Sequence, residues 1–558
     1  MRHITLRAAV AAPMALLLAA CWNRGALDVP NLNNPDITRT YSTPAGVEAV
    51  ISSTYQQIWS STVGCTGCLN TEAHCLSLEN YSELNNFSMN VRSLMPRGPI
   101  VNDRTGNAGA NGVYSALSRA ARSASNGMQS LDRLKAASVA VPPNALGSPA
   151  QDARARAFGF FTSGIALGGL AIAYDSAAIV TPNTASDEIP GLSAYPDVMK
   201  AALAMFDSAL AVANSADATN VGNAPGSGFP LPNTWIYQNA LSQADFVRVI
   251  RTYKARWRAA VARTPAERAA VDWNAVMADA QAGITADFKI LISSSQGWSA
   301  SYDVAQMYSQ GWSGISTMMY GMADTSGAYA TFIATPLASR DGGYLIRTPD
   351  QRFPQGATRA DQQNDTKLPL AGRRYLANQA AGDDNPVSGY GFSFYQNRRW
   401  YPIRAAANNG PYTAINKIEM DMLIAEGYIR NNQYVQAAAL IDASRARNGL
   451  PSVGTITSAT QQIAGGSACV PRVPQAPGFN SVACGTILEA MKWEKRMETA
   501  FSCQFMCWYT DSRGWGDLPE NSGLMFAVPY QEMDARVQAF YSFGGGNAAS
   551  AAKGTYGF

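Results

Sequence analysis

The chain has 558 residues, and its 43 lysine and arginine residues against 40 aspartate and glutamate residues give a formal net charge of +3. This nearly neutral balance argues against a nucleic-acid-binding protein, because such proteins concentrate positive charge against the phosphate backbone. Hydrophobic residues make up 47% of the chain and charged residues only 15%, which is typical of a large globular protein with a substantial core.

The N-terminal segment has the composition of a secretory signal. Two arginines precede an apolar stretch that is shorter than the roughly 20 residues a membrane-spanning helix needs. Small residues stand directly before Cys21, as a lipoprotein signal peptidase requires, and its thiol is the nucleophile that would take up diacylglycerol. We therefore predict a lipoprotein signal peptide over residues 1–20, an acylated Cys21 and a lipidated tether over residues 21–43. The alternative is an ordinary signal peptide with an incidental cysteine.

Apolar residues spaced three and four apart predict several helices along the chain. One carries apolar positions from Val113 to Leu134, a second runs over 153–173, and a third begins with Pro196 in its first turn. The second contains the most apolar stretch after the signal, from Phe158 onward. Because that stretch is short and rich in glycine, it is predicted to be a tightly packed core helix and not a membrane span.

Two helix pairs are predicted farther along, over 246–280 and 415–447. In the first pair, the sequence from Thr264 to Glu267 has the form of a capping box that separates two helices. In the second, Gly449 follows the last helical turn as a stop signal. Helix pairs of about 34 residues are the tetratricopeptide unit. No strict repeat is visible, so these pairs are predicted to be tetratricopeptide-like in a mainly α fold.

Between residues 292 and 410 the helical period fades, and small polar and aromatic residues accumulate. We expect this region to be a loop-rich elaboration of a single body covering residues 44–558. Tryptophan and tyrosine rings stack on the flat faces of sugars, so exposed rings here are candidate binding residues, while burial in the core is the alternative for each. The candidates are Trp298, Tyr302, Trp312, Tyr320, Tyr395, Trp400 and Tyr401.

The sequence offers little catalytic chemistry. His3 and His74 are the only histidines, so a histidine-dependent nucleophile in the processed chain would need His74. Neither a nucleophile elbow beside it nor a phosphate-binding glycine loop is present. No motif singles out a pair of glycosidase carboxylates, although such a pair stays an alternative. No enzymatic activity and no cofactor are therefore expected.

Four residues have the spacing of metal ligands, namely Cys65, Cys68, His74 and Cys75. An exported chain lies in an oxidising compartment, where cysteines in such a loop form disulfides. We therefore predict a disulfide-stapled loop and no metal, with zinc as the weaker alternative.

Seven cysteines remain besides Cys21, and an odd number leaves at least one unpaired. Cys469 and Cys484 enclose a segment rich in proline, which favours a loop, and we predict a disulfide between them. Cys503 and Cys507 are four apart on a predicted helix. They are predicted to pack, or to pair elsewhere, rather than to bond with each other.

Several segments resemble the SusD/RagB family of nutrient-binding outer-membrane lipoproteins. The resembling positions are Leu27, Asp28 and Pro30; Arg156, Ala157, Phe158 and Phe161; Ile418, Glu419, Met422, Leu423, Ala425 and Glu426; Ala437, Ile441, Arg445, Arg447, Gly449, Leu450 and Pro451; Glu494, Lys495, Arg496 and Glu498; Arg513, Gly514, Trp515 and Gly516; and Val528, Pro529 and Glu532. A divergent point follows Glu498, where Ser502, Cys503 and Phe505 replace the usual glycine and arginine.

The resemblance implies a SusD-like fold and a substrate-binding outer-membrane lipoprotein exposed at the cell surface. Such a protein would capture glycans or oligosaccharides and deliver them to a TonB-dependent, SusC-like transporter. The same architecture binding peptides is one alternative, and a helical-repeat scaffold for protein interactions is another. The motif carboxylates and arginines, such as Glu426 and Arg447, are predicted to lock helices together rather than to do chemistry.

Overall fold

The structure is a computed structural model that describes residues 40–65, 67–82, 86–104, 110–222, 224–306, 314–340, 343–365, 375–379 and 393–557. The predicted signal peptide, Cys21 and nearly all of the tether lie outside the described residues, as does Trp312.

The helices are α1 (Pro44–Thr62), α2 (Leu69–Leu76), α3 (Met89–Ser93), α4 (Ala110–Ala136), α5 (Pro149–Ala173), α6 (Tyr195–Ala213), α7 (Gln243–Ala260), α8 (Pro265–Ala269), α9 (Trp273–Gln281), α10 (Thr317–Gly321), α11 (Ala328–Ala334), α12 (Arg359–Gln363), α13 (Tyr401–Ala405), α14 (Lys417–Arg430), α15 (Tyr434–Arg447), α16 (Ile487–Thr499), α17 (Cys507–Trp515) and α18 (Tyr530–Ala535).

The strands are short and form two-stranded antiparallel pairs. They are β1 (Asn80–Tyr81), β2 (Pro99–Ile100), β3 (Ser176–Ala178), β4 (Leu192–Ala194), β5 (Phe288–Ile292), β6 (Gly314–Ile315), β7 (Leu376–Asn378), β8 (Tyr395–Asn397), β9 (Gly410–Ile415), β10 (Arg472–Pro474), β11 (Val482–Cys484) and β12 (Phe543–Gly544). The longest pair joins β5 to β9, with Ile290 opposite Tyr412.

Helix α5 lies at the centre of the main core and packs against α1, α4 and α6. The side chain of Ser148 caps it by accepting a hydrogen bond from the backbone N–H of Gln151, and Pro149 occupies its first turn. Gly168 lets the indole of Trp257 approach the helix, since an added Cβ would lie 2.3 Å from the indole nitrogen. This helix is long and apolar enough to cross a membrane, but it is mostly buried inside the protein. The prediction of a tightly packed core helix is confirmed.

The predicted helix pairs are present, with one boundary moved. Thr264 accepts a hydrogen bond from the Glu267 amide, but the Glu267 carboxylate accepts from the Arg263 amide at 2.8 Å, so the cap is not reciprocal. The helix that starts there is only the short α8. The partner of α7 is α9, which Asp272 caps. The second pair is α14 with α15, and α9 packs against α14, so that the two pairs stack on each other.

Buried ion pairs hold these helices together. The guanidinium of Arg268 in α8 makes a bidentate pair with Glu426 in α14, at 3.0 and 2.6 Å. Arg256 in α7 pairs in the same way with Glu419. Burial alone would raise the pKa of Glu426, but the charge of Arg268 outweighs it and lowers that pKa to about 2. The structural role predicted for these carboxylates is confirmed.

Candidate functional site

The predicted aromatic residues do not form an exposed platform. Trp298 is only 3% exposed and contacts the rings of Tyr55 and Trp59, with centroids about 6 Å away. Tyr302 is 2% exposed, and its hydroxyl accepts a hydrogen bond from the Asn80 amide at 2.7 Å. The prediction that these rings are exposed is therefore wrong, because each fills a gap between core helices and the adjoining loops.

The remaining predicted rings lie in different surroundings. Tyr320 and Tyr395 are fully buried and pack on each other with centroids 4.8 Å apart. Tyr401 is 36% exposed at the start of α13. Trp400 is 9% exposed and stacks on Tyr412 at 4.6 Å, yet it also borders a cleft. Of the described candidates, Trp400 is the one that lines a cavity of ligand size.

The weak metal candidate is not assembled. Cys65 and Cys68 form a disulfide, so their thiolates are not available to a metal ion. His74 pairs instead with Glu79, and it lies 3.5 Å from Asp303. Within the part of the chain that the structure describes, no cluster of three metal-ligating side chains occurs.

His74 and Cys75 are poor candidates for a nucleophilic centre. Burial alone would lower the pKa of His74, but the carboxylates of Glu79 and Asp303 outweigh it and raise that pKa to about 10. The raised pKa favours the imidazolium form, in which the ring has no lone pair to accept a further proton. Cys75 is a buried free thiol whose pKa is raised to about 12, chiefly by burial.

The other cysteines form two further disulfides. Cys469 pairs with Cys484, the pairing predicted from the sequence. Cys503 pairs with Cys507, which corrects the prediction that they do not bond to each other. Helix α17 starts only at Cys507, so Cys503 precedes it in irregular backbone and can turn toward its partner.

A cleft of about 530 Å³ opens beside the second helix pair, and we call it the helix-pair cleft. Residues of β5, β9 and the segment just before α13 line it, together with residues of α14, α15 and the end of α16. Its lining residues are Asp287, Lys289, Tyr375, Arg399, Trp400, Pro411, Thr413, Asn416, Lys417, Ile418, Asp421, Met422, Leu440, Ala443, Ser444, Arg447 and Glu498.

Helical periodicity explains how α15 supplies its part of the wall. Leu440, Ala443, Ser444 and Arg447 are spaced three and four apart, so they form a single face of the helix. The adjoining face of α15, which includes Ala437 and Ile441, packs into the core with α14 and α16. Arg447 is exposed, and no carboxylate lies within ion-pair distance of it among the described residues. The prediction that Arg447 locks helices together is therefore wrong.

Two of the carboxylates in the cleft are committed to partners. Glu498 accepts hydrogen bonds from Arg352 at 3.2 Å and from Asn448 at 2.9 Å. Asp421 forms an ion pair with Lys417 one helical turn away. These bonds hold the two acidic side chains in place. Each carboxylate already has a cationic partner in the protein.

Arg399 is held against an aromatic ring. Its guanidinium lies 4.0 Å from the centre of the Tyr375 ring and donates to the Met497 carbonyl at 2.8 Å. The indole of the neighbouring Trp400 donates to the Phe501 carbonyl at 2.5 Å. The Nε of Arg399 is buried and has no hydrogen-bond partner within the described ranges. The cleft thus combines aromatic surface with polar groups whose orientation is fixed.

Sequence reasoning found Trp400 but missed most of this cleft. Tyr375 and Lys289 are separated from Trp400 in the sequence. Only the pairing of β5 with β9, which places Lys289 opposite Thr413, brings Lys289 to the cleft. The one available signal was the helical spacing from Leu440 to Arg447, which could have been read as a second, partly polar face of α15.

Two solved structures share this fold over most of their length. A SusD homolog from Parabacteroides distasonis matches with a TM-score of 0.50 at 14% sequence identity, covering 85% of each chain. A SusD-like carbohydrate-binding protein from Bacteroides fragilis matches with a TM-score of 0.50 at 12% identity, over 92% of this chain and 95% of that one. No protein-family profile and no curated protein matches the sequence. The chain has the SusD-like fold, and the predicted fold class is confirmed.

Proposed function

We propose that this protein is a lipid-anchored, surface-exposed outer-membrane protein that captures glycans or oligosaccharides and delivers them to a TonB-dependent transporter. The observation that carries the binding role is the helix-pair cleft, which is lined by the largely buried rings of Tyr375 and Trp400, the latter 9% exposed, and by amide, hydroxyl and charged side chains. A sugar site needs aromatic rings and polar groups, because the C–H faces of a sugar pack on rings while its hydroxyls need fixed hydrogen-bond partners. The fold shared with a carbohydrate-binding protein from Bacteroides fragilis supports the same reading.

This role requires binding and no catalytic group. Attachment to the membrane would come from acylated Cys21, since two or three acyl chains anchor a protein stably.

The direct test is to titrate purified mature protein with neutral and acidic oligosaccharides, and with peptides of comparable size, by calorimetry. We expect binding of at least one oligosaccharide class, with no release of reducing sugar on long incubation. If only peptides bind, the ligand of this protein is a peptide and the proposed capture of glycans is wrong. Release of reducing sugar would instead indicate a glycosidase.

A further inference from the structure

We infer that the helix-pair cleft selects an anionic glycan, one whose sugar units carry carboxylate or sulfate groups. This inference rests on the proposed function and names the substrate class. It follows from the state of the cationic side chains that line the cleft.

Four cations and three carboxylates line the cleft, a difference of +1. The cations are Lys289, Arg399, Lys417 and Arg447, and the carboxylates are Asp287, Asp421 and Glu498. The two sets differ in their partners. Asp421 and Glu498 are paired with cationic side chains, and Asp287 accepts a hydrogen bond from the backbone N–H of Lys417. Two of the four cations, Lys289 and Arg447, have no carboxylate partner among the described residues.

Lys289 and Arg447 are exposed, and no carboxylate lies within 4.0 Å of either among the described residues. Arg399 has no described carboxylate within that distance either, and its guanidinium donates to the backbone carbonyl of Met497. Its buried Nε still lacks an acceptor within the described ranges. Arg399 therefore carries a charge that no described carboxylate compensates, although its buried Nε is not itself open to a ligand.

The geometry of these groups favours an anion that presents two oxygens side by side. A guanidinium presents its N–H groups as a fork that matches two oxygens of a carboxylate or sulfate. Tyr375 fixes the plane of the Arg399 guanidinium from one side. Arg447 lies on α15 and Lys289 on β5, so two different elements contribute positive charge to the cleft that Trp400 also lines.

The test compares each acidic oligosaccharide with a neutral form of the same shape. One pair is an oligogalacturonide with its methyl ester, a second is a sulfated oligosaccharide with its desulfated form, and neutral oligosaccharides complete the set. Charge-assisted hydrogen bonds predict that at least one acidic form binds about tenfold more tightly than its neutral partner at low salt. The difference should shrink at high salt, because ions screen charges that lie near solvent.

Three variants locate the effect. We expect Arg447→Met and Lys289→Met each to weaken binding of the acidic form about three- to tenfold, and to weaken binding of the neutral partner by clearly less, so that the preference for the acidic form shrinks. Lys200→Met removes the same charge from an exposed position on α6 outside the cleft. It should change neither the binding of the acidic form nor the binding of its neutral partner. All three positions are exposed, so the variants should fold and melt as the unaltered protein does.

The outcomes are distinct. Preferential binding of an acidic form that is lost in Arg447→Met and Lys289→Met, and kept in Lys200→Met, supports the inference. Equal binding of acidic and neutral partners overturns it and leaves glycan capture intact. An acidic preference that survives both cleft variants overturns it as well, because the anion is then bound elsewhere. No binding of any oligosaccharide rejects the proposed function together with the inference.

Discussion

At the scale of single residues, what decides the role of an aromatic ring here is whether another element covers it. Trp298 has tyrosine and tryptophan rings around it, whereas Tyr401 stands at the first turn of a short helix and is partly in solvent. Both belong to the same aromatic-rich stretch of sequence, yet they should contribute very differently to stability.

We therefore expect Trp298→Ala to destabilise the protein by about 3–5 kcal/mol, since deleting a buried ring loses transfer energy and leaves a cavity. Tyr401→Ala should cost about 1 kcal/mol or less, because most surface substitutions have small effects. Chemical denaturation of the two variants, monitored by circular dichroism, compares them directly. Similar losses in both would contradict the burial described for Trp298.

A second property at this scale is the charge of His74. Its folded-state pKa of about 10 lies above the unfolded value of 6.5. A raised pKa means that the folded state binds the proton more tightly, so this contribution to stability is complete below pH 6.5 and is lost as the pH rises through about 10.

The expected result is a melting temperature that falls between pH 7 and pH 10. In NMR of protein labelled at the histidine ring carbons, the His74 signal should stay that of an imidazolium at pH 8. The same label in urea-unfolded protein is the control, and it should titrate near pH 6.5. A neutral His74 at pH 7.5 in the folded protein would refute the ion pairs with Glu79 and Asp303.

At the scale of elements, helices are joined by side chains from distant segments, while the loops between them rely on local cross-links. The Arg268–Glu426 pair ties α8 to α14 across the stacked helix pairs. The disulfide Cys469–Cys484 instead closes the hairpin of β10 and β11, which has little core of its own.

Loop closure gives a graded prediction for the disulfides. Removing Cys469–Cys484 by a double substitution to alanine should cost about 3 kcal/mol, because it releases a separation of 15 residues in the unfolded chain. The matched control removes Cys503–Cys507, which spans 4 residues and should cost about 2 kcal/mol in the same chain-entropy treatment. Denaturant titrations of both variants measure the two losses in the free energy of unfolding and show which is larger. Free thiols at 469 and 484 in exported protein would show that the first bond does not form.

At the scale of the whole molecule, the predicted tether of residues 21–43 would join the described body to the membrane. An extended chain of that length reaches several tens of ångströms. The helix-pair cleft could therefore face a partner in the membrane or the medium without contact between the body and the lipid.

Lipidation of Cys21 is the prediction that belongs to this scale. The unaltered protein should take up label from radioactive palmitate and sediment with outer membranes, because acyl chains partition strongly into lipid. Cys21→Ser should lose both properties. Cys75→Ser is a suitable control, because Cys75 is buried in the folded body and should not carry lipid. Normal labelling of Cys21→Ser would exclude the proposed anchor.

Local sequence determined those features whose causes are local. Apolar spacing of three and four located the long helices from α4 to α7 and the pair α14 and α15, because an amphipathic helix must bury one face whatever covers it. Proline and glycine around Cys469 and Cys484 indicated a loop that two cysteines could close. The family-like carboxylates, such as Glu426, were correctly assigned to helix packing.

Tertiary structure decided the features that depend on which segments meet. The sequence could not pair Glu426 with Arg268, which lies more than 150 residues earlier, nor show that Trp298 is covered by Tyr55 and Trp59. It could not show that Arg447 faces a cleft and not a carboxylate. Burial and ion pairing are set by contacts between distant segments, and an aromatic or charged residue has the same appearance in a sequence whether it is covered or left in solvent.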